Sequence, residues 1–244
     1  VAERLDDALV GRGLLPTRER AVQEIRAGNV LVDEQVVDKP GARIKDAAQL
    51  RLRHPPSPYV SRGGRKLEAG LDGFGVDPSG RICADFGAST GGFTDCLLQR
   101  GASRVYAIDV GYGQLAWSLR TDPRVVVMER TNVRHLSALP DPIGLLVGDL
   151  SFISLGFVLP AIRAVLAPGA EAVVLVKPQF EVDASGIGPG GLVSDDGLRR
   201  AAVVSVSAAA EAGGFRVLGE MESPVAGARA GNREWLLHLA KPAC

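Results

Sequence analysis

The chain has 244 residues, 46% of them apolar, with 28 Lys or Arg against 28 Asp or Glu. That size and apolar content support a substantial core and exclude a disordered chain, and the balanced charge excludes a uniformly basic coat. The balance hides an asymmetry: residues 1–66 carry a net +4 and residues 67–244 a net −4, a basic front on an acidic body that suits an anionic partner at one end.

VAERLDDALV is charged from its third residue and does not read as a secretory signal. Leu5, Ala8 and Leu9 lie at helical spacing, and Gly11 and Gly13 stop that helix before Pro16. Thr17 is placed to cap a second helix, with Ala21, Val22 and Ile25 as its buried stripe and Gly28-Asn29 as its end. NVLVDEQVVDKPG reads as a hairpin turning near Asp33-Glu34-Gln35, and QLRLRH as a further strand. Arg4, Arg12, Arg18, Arg20, Arg26, Arg43, Lys45, Arg51 and Arg53 stud this small α+β region and offer cations to phosphates; an equally available reading is that they only solvate it. HPPSP, with three prolines in five residues, favours a stiff linker. The expected division is 1–53, a linker 54–62, and a larger domain 63–244.

From Arg81 onward apolar strands alternate with helices. RICADFG, RVYAIDV, VVVMER, IGLLVGDLS and AVVLVKP read as strands; GGFTDCLLQRG, GQLAWSLRTD, LGFVLPAIRAVLAPG and DDGLRRAAVVSVSAAAEAGG read as helices. Such units predict an α/β fold with a parallel sheet covered on both faces. FRVLGEMESP and REWLLHLA are separated by little more than GARAGN, too short for a helical crossover, so this final pair is expected to be antiparallel. The apolar stretch from Phe152 to Val176 is interrupted by Arg163, Glu171 and two prolines, so no membrane span is expected. Cys83, Cys96 and Cys244 form no CxxC and have no His-rich company, so neither a metal nor a disulfide framework is expected, and a reducing cytoplasm fits. Trp117 and Trp235 sit in apolar patterns that read as core, and His54, His135 and His238 show no ligand spacing.

The strongest local signal is ADFGASTGGFTD, between the first strand of the larger domain and its helix. Gly87, Gly91 and Gly92 let the backbone turn and approach a ligand closely, with Ala88, Ser89, Thr90 and Phe93 completing the loop. A dinucleotide loop needs a glycine where Ala88-Ser89 stands, and a P-loop needs a lysine where Phe93 stands. What remains is a cofactor without a pyrophosphate, such as S-adenosylmethionine. Asp85 either orders the loop or faces the amino group of such a cofactor. Asp109, 24 residues later at a strand end followed by Val110, suits ribose hydroxyls. Asn132 either meets the adenine or makes a turn, and Arg134 on the same edge suits RNA phosphate. GIGPGGLVSDDG (186–197) reads as a loop that orders over substrate.

The strings YVSRGGRKL, DFGASTGGFTDCLL, GDLSFISL, LVKPQFE and GNREWLL, in that order, resemble the TlyA family of ribosomal RNA methyltransferases, whose members often carry a hemolysin-like label. The resemblance covers essentially the whole chain. It implies a Rossmann-like methyltransferase domain similar to FtsJ-type ribose 2′-O-methyltransferases, preceded by an RNA-binding domain of the kind named after ribosomal protein S-four. It also implies S-adenosylmethionine as cofactor and ribosomal RNA or ribosomal subunits as partner, with cytidine 2′-hydroxyls as acceptors; a monomer is the expected state, though no residue carries that expectation. The FtsJ-type Lys-Asp-Lys-Glu tetrad carries over as Lys66, Asp149, Lys177 and Glu234. Lys177 is the expected general base, Lys66 a second charge orienting the ribose, and Asp149 and Glu234 the acids aligning both ammonium groups, with Asp149 also facing the methyl donor. Arg62 and Arg65 join the arginines expected at RNA. Three rivals remain: a cytolysin, an RNA-binding assembly factor with a dead catalytic fold, and a pseudouridine synthase.

Overall fold

A computed structural model of the chain describes residues 2–227 and 231–243, so Cys244 and the middle of the GARAGN connection lie outside the described residues. The chain divides into two compact units, 1–62 and 63–244.

In the first unit, β1 (Ala2–Arg4) leads into α1 (Leu5–Gly11) and α2 (Arg18–Arg26), followed by β2 (Val30–Val32), β3 (Gln35–Val36), β4 (Arg43–Lys45) and β5 (Leu50–Leu52). Leu5, Ala8, Leu9, Ala21 and Ile25 are buried in one core with Val30 and Ile44. Thr17 caps α2 by accepting the Arg20 amide at 3.2 Å. The expected hairpin is present: β2 pairs antiparallel with β3 and β5, and Asp33 and Glu34 turn with positive φ. The antiparallel pair β1–β4 was not legible, being three residues long on each side and without alternation. Val22 is only half-buried; Glu24 is buried instead, accepting Asn29 Nδ2 at 2.6 Å and the Ser57 amide at 3.0 Å. The proline-rich stretch expected as a linker is therefore tied to this unit. Asn29 also accepts the His54 amide at 2.9 Å, and the Arg20 guanidinium donates to the carbonyls of Ser57 and Tyr59.

The second unit opens with α3 (Gly63–Phe74), then runs β6 (Ile82–Phe86), α4 (Gly92–Gln99), β7 (Arg104–Ile108), α5 (Trp117–Arg120), β8 (Val125–Met128), β9 (Ile143–Gly148), α6 (Leu159–Val165), β10 (Leu166–Val176), α7 (Asp196–Ala212), β11 (Arg216–Glu222) and β12 (Trp235–Ala240). The sheet has seven strands in the order β11-β12-β10-β9-β6-β7-β8. Its five strands β10, β9, β6, β7 and β8 are parallel, while β12 lies between β10 and β11 and is antiparallel to both. This is the expected α/β architecture with its antiparallel final pair. Ala84, Phe86, Leu146, Val174 and Leu237 carry the core under α6 and α7.

Three local expectations change. The helix expected to run to Gly169 ends at Val165, because Pro168 lacks an amide hydrogen and Gly169 takes φ 76°; the chain enters β10 early, with a register shift between Leu166 and Glu171. The helix expected over GQLAWSLRTD is confined to α5, and Trp117 is 71% exposed rather than core. Finally, α3 was not anticipated. Its glycines lower helix propensity, but they serve packing: a Cβ at Gly70 would stand 3.1 Å from Leu236 Cδ1 and 3.4 Å from Val173 Cγ1. The helix thus lies close against the sheet through its glycine face. Among the described residues no helix is long and apolar enough to cross a membrane.

Candidate active site

The glycine-rich loop joins β6 to α4 at the carboxyl end of the parallel strands. Gly87 takes φ 85°, and a Cβ there would meet the Asp149 carbonyl oxygen at 2.8 Å, so only glycine lets the loop cross the end of β9. Gly91 takes φ 99°, where a Cβ would stand 2.2 Å from Leu119 Cδ1. Asp109, at the end of β7, holds the loop from the other side: Oδ2 accepts the Ser89 amide at 2.8 Å and Oδ1 the Gly111 amide at 2.7 Å.

A cleft of about 740 Å³ opens beside this loop, within the ~300–1,000 Å³ of sites that take small ligands. Gly87, Ser89, Asp109, Val110, Asn132, Arg134 and Asp149 all line it. Ala88, Gly91, Gly92 and Phe93 do not: they are buried and shape the turn and the start of α4. Thr90 is exposed, its carbonyl accepting the Ala116 amide at 3.2 Å. Asn132 caps the following 3-10 turn by accepting the Arg134 amide at 3.1 Å, while remaining on the cleft wall.

Asp85 is completely buried beneath the loop, away from the cleft lining. Oδ2 accepts Thr94 Oγ1–H at 2.7 Å, fixing the first turn of α4, and Oδ1 has no hydrogen-bond partner among the described residues. Burial pushes this carboxyl up to about 7; the Thr94 bond opposes the rise and the Asp149 charge adds to it. The residues present fit S-adenosylmethionine. The cleft has the volume, Asp109 retains acceptor capacity beyond its two amides for ribose hydroxyls, and the Asp149 carboxylate on the cleft wall favours a ligand bearing positive charge.

A second cavity of about 380 Å³ adjoins the cleft, the two sharing Asp149, Ser151 and Phe152. Lys66, Asp149, Lys177 and Glu234 all line it, brought from α3, the end of β9, the end of β10 and the approach to β12. Lys66 Nζ lies 2.6 Å from Glu234 Oε2, with both side chains buried. Lys177 Nζ lies 2.6 Å from Asp149 Oδ1 and donates to Ser151 Oγ at 2.9 Å. The Lys177 contact is an ion pair whose direction leaves Asp149 Oδ1 without a hydrogen bond. The wall also includes Gly190, Gly191 and Asn232, so the glycine-rich segment expected over substrate does border the cavity. Asn232 is buried and tethers that segment, its Oδ1 accepting the Val193 amide at 2.9 Å and its Nδ2 donating to the Gly191 carbonyl at 2.8 Å.

Several residues at this site carried no readable sign in the sequence. Phe152 is 78% exposed at φ 64°, where bulky side chains are rare, and its ring lies 5.3 Å from that of Phe180. An exposed ring beside this cavity leaves a π face on which a planar group can stack. Ser151 and Glu181 also act through partners 26 and 27 residues away, a relation that spacing does not reveal.

The arginines expected at RNA divide. Arg4 and Arg18 pair with the buried Asp6, whose carboxyl is held down at about 2, chiefly by the Arg4 hydrogen bond. Arg12 donates to the Ala48 and Asp46 carbonyls and pairs with Glu3, and Arg20 holds Ser57 and Tyr59. These four are occupied within the first unit. Arg26 and Arg134 are exposed, Arg134 lying over the Phe157 ring at 5.4 Å, and Arg62 and Arg65 are half-buried.

Residues 59–241 match the FtsJ-like methyltransferase family and residues 3–50 match the S4 domain. The chain is 48% identical over 241 residues to the 16S/23S rRNA (cytidine-2′-O)-methyltransferase TlyA of Mycobacterium tuberculosis, covering 97% of this chain and 89% of that one. A solved structure of a hemolysin-named protein from Streptococcus thermophilus superposes with a TM-score of 0.79 at 42% identity, covering 99% of this chain and 89% of that one. An S-adenosylmethionine dependent methyltransferase from Mesorhizobium loti shares the fold at 15% identity, with a TM-score of 0.54 over 72% of this chain and 98% of that one.

Proposed function

The chain belongs to the FtsJ-like methyltransferase family, and from that premise we propose that it methylates ribose 2′-hydroxyls of ribosomal RNA, at cytidines, in the cytoplasm and as a monomer. It is an S-adenosylmethionine-dependent methyltransferase with an S4 domain at its front. The observation that carries the reading is the meeting of Lys66, Asp149, Lys177 and Glu234 in a cavity that shares a wall with the cofactor cleft.

S-adenosylmethionine, bound in the cleft, supplies a methyl group on a sulfonium that leaves as a neutral thioether. Asp109 holds ribose hydroxyls and the Ser89–Gly91 backbone shapes the site, while Asp149 stands where the two cavities join. Lys177 Nζ, as the neutral amine left once the ammonium of the ion pair has given a proton to solvent, takes the proton of the attacking 2′-hydroxyl, with Asp149 and Ser151 fixing its direction. Lys66, steadied by Glu234, presents positive charge to the oxygen that becomes electron-rich as its proton leaves. Holding the hydroxyl in line supplies up to ~7–11 kcal/mol of the barrier, and the base a further ~10²–10⁴-fold in rate. RNA is the acceptor class because only RNA carries the 2′-hydroxyl and because the S4 domain precedes the catalytic unit. Of the domain division, residues 1–53 serve as the RNA-docking part and 63–244 as the catalytic part.

Transfer of labelled methyl from S-adenosylmethionine to intact ribosomal subunits and to naked ribosomal RNA, followed by mapping of the modified position, tests this. A 2′-O-methylated cytidine is expected. No incorporation into either substrate moves the function to RNA binding without turnover.

A further inference from the structure

We infer that Glu181 is a positioning residue for the proposed methyl transfer: its carboxylate locks together the two loops that carry Asp149, Ser151 and Lys177. The inference rests on the methyl-transfer reading. The first loop follows β9 and spans 149–155; the second follows β10 and spans 177–182.

The loops touch at three places. Lys177 Nζ meets Asp149 Oδ1 at 2.6 Å and donates to Ser151 Oγ at 2.9 Å. The rings of Phe152 and Phe180 lie 5.3 Å apart. Glu181 accepts Ser154 Oγ–H at 2.6 Å through Oε2 and the Leu155 amide at 2.9 Å through Oε1. Glu181 is itself rigidly linked to the base. A 3-10 turn spans Pro178–Phe180 with Lys177 as its cap, the Phe180 amide donating to the Lys177 carbonyl at 2.9 Å and the Glu181 amide to the Pro178 carbonyl at 3.0 Å. A carboxylate using both oxygens on one partner loop fixes that loop's orientation as well as its distance.

The first loop needs such a hold. Phe152 at φ 64° lies in a region that disfavours bulky residues by about 1–3 kcal/mol, so the conformation persists only where surrounding contacts impose it. The carboxylate that imposes it does so at a cost, since burial raises its proton affinity against the two hydrogen bonds. The clamped loop is also the wall shared by the cofactor cleft and the catalytic cavity. Releasing it at Ser154 and Leu155 leaves Lys177 free to turn away from the acceptor hydroxyl, and small misplacements of a catalytic group are costly in rate.

The test compares wild type with Glu181→Ala, Glu181→Gln and Ser154→Ala. Single-turnover methyl transfer is measured across ribosomal-subunit concentration with S-adenosylmethionine saturating, and hydrogen exchange is followed at the Leu155 amide. Glu181→Ala is expected to slow transfer about 10–100-fold at saturating subunits, with the subunit concentration for half-maximal rate little changed and Leu155 exchange accelerated. Gln can accept from Leu155 and donate to Ser154, so it is expected to restore most of the rate and the protection. Ser154→Ala, losing one of two bonds, is expected to fall between. Wild-type rate in Glu181→Ala overturns the inference, as does a Gln variant as slow as Ala. Should Glu181→Ala not fold, Ser154→Ala decides: slowed transfer at unchanged half-saturation supports the clamp, and wild-type rate overturns it. An inactive wild type instead fails the methyl-transfer reading, which separates the two failures.

Discussion

Lys66 Nζ and Glu234 Oε2 meet at 2.6 Å across 168 residues of sequence, and both side chains are buried. The contact exists because α3 packs on the sheet through Gly70 against Leu236, two positions beyond Glu234. Removing one partner strands a buried charge, so Glu234→Ala is expected to cost about 3–5 kcal/mol in denaturant unfolding. A Lys66→Met, Glu234→Leu double variant should recover most of that stability while remaining inactive. Recovery of activity in the double variant would remove the pair from the mechanism.

Lys177→Ala should abolish methyl transfer while leaving S-adenosylmethionine affinity nearly intact, since Lys177 lines the catalytic cavity and not the cofactor cleft. Calorimetric titration of the cofactor beside the labelled-methyl assay checks both halves. Transfer at the wild-type rate would take the role of base away from Lys177.

Gly91→Ala forces a left-handed φ of 99° on a residue with a Cβ and drives that carbon to 2.2 Å from Leu119 Cδ1. Backbone strain of about 1–2 kcal/mol and overpacking of about 1–3 kcal/mol should both appear as lost stability. Cofactor affinity should fall with them, because the loop carrying Ser89 and its bond to Asp109 must move. Thermal melts with and without S-adenosylmethionine check the pair of effects.

Asp85 makes folding sensitive to pH in an unusual direction. Its carboxyl is raised by burial from 3.8 to about 7, so between those values the folded chain binds more protons than the unfolded one. This residue's contribution to stability is therefore full below about 3.8 and is lost as pH rises towards 7. Asp85→Asn should flatten that slope in the difference between variant and wild-type melts across the same range. A slope unchanged by the substitution would show that Asp85 is ionised throughout.

In the first unit, Arg20 and Arg26 separate structure from binding. Arg20→Ala removes the hold on Ser57 and Tyr59 and should lower the melting temperature. Arg26→Ala, at an exposed position, should leave melting unchanged and reduce the slope of log affinity for ribosomal RNA against log salt by about 1. Equal effects of both substitutions on the salt slope would contradict this division.

What was legible followed from local physics. The βα alternation, the antiparallel end and the loop at Gly87 and Gly91 were readable, because apolar periodicity and positive φ leave their marks in adjacent residues. Asp109 was placed by standing at a strand end, and Lys66, Asp149, Lys177 and Glu234 by motif resemblance. What stayed hidden acts at long range. The glycines of α3 look like helix breakers until Leu236 and Met221 are seen packed over them. Glu181, Asn232 and Phe152 owe their roles to partners outside any local window, and Trp117 looked like core because its apolar neighbours did not show that the helix it opens is a single short turn.

The wall shared through Asp149, Ser151 and Phe152 has a consequence for inhibitor chemistry. Two recesses that share lining residues can be bridged by one molecule, an adenosine-like end in the larger joined by a short linker to a nucleoside in the smaller. Tethering turns the second association into an intramolecular event with an effective concentration in the millimolar range, so the joined compound should bind far more tightly than either half. Because each half alone resembles a ligand common to many enzymes, selectivity would reside in the length and direction of the bridge.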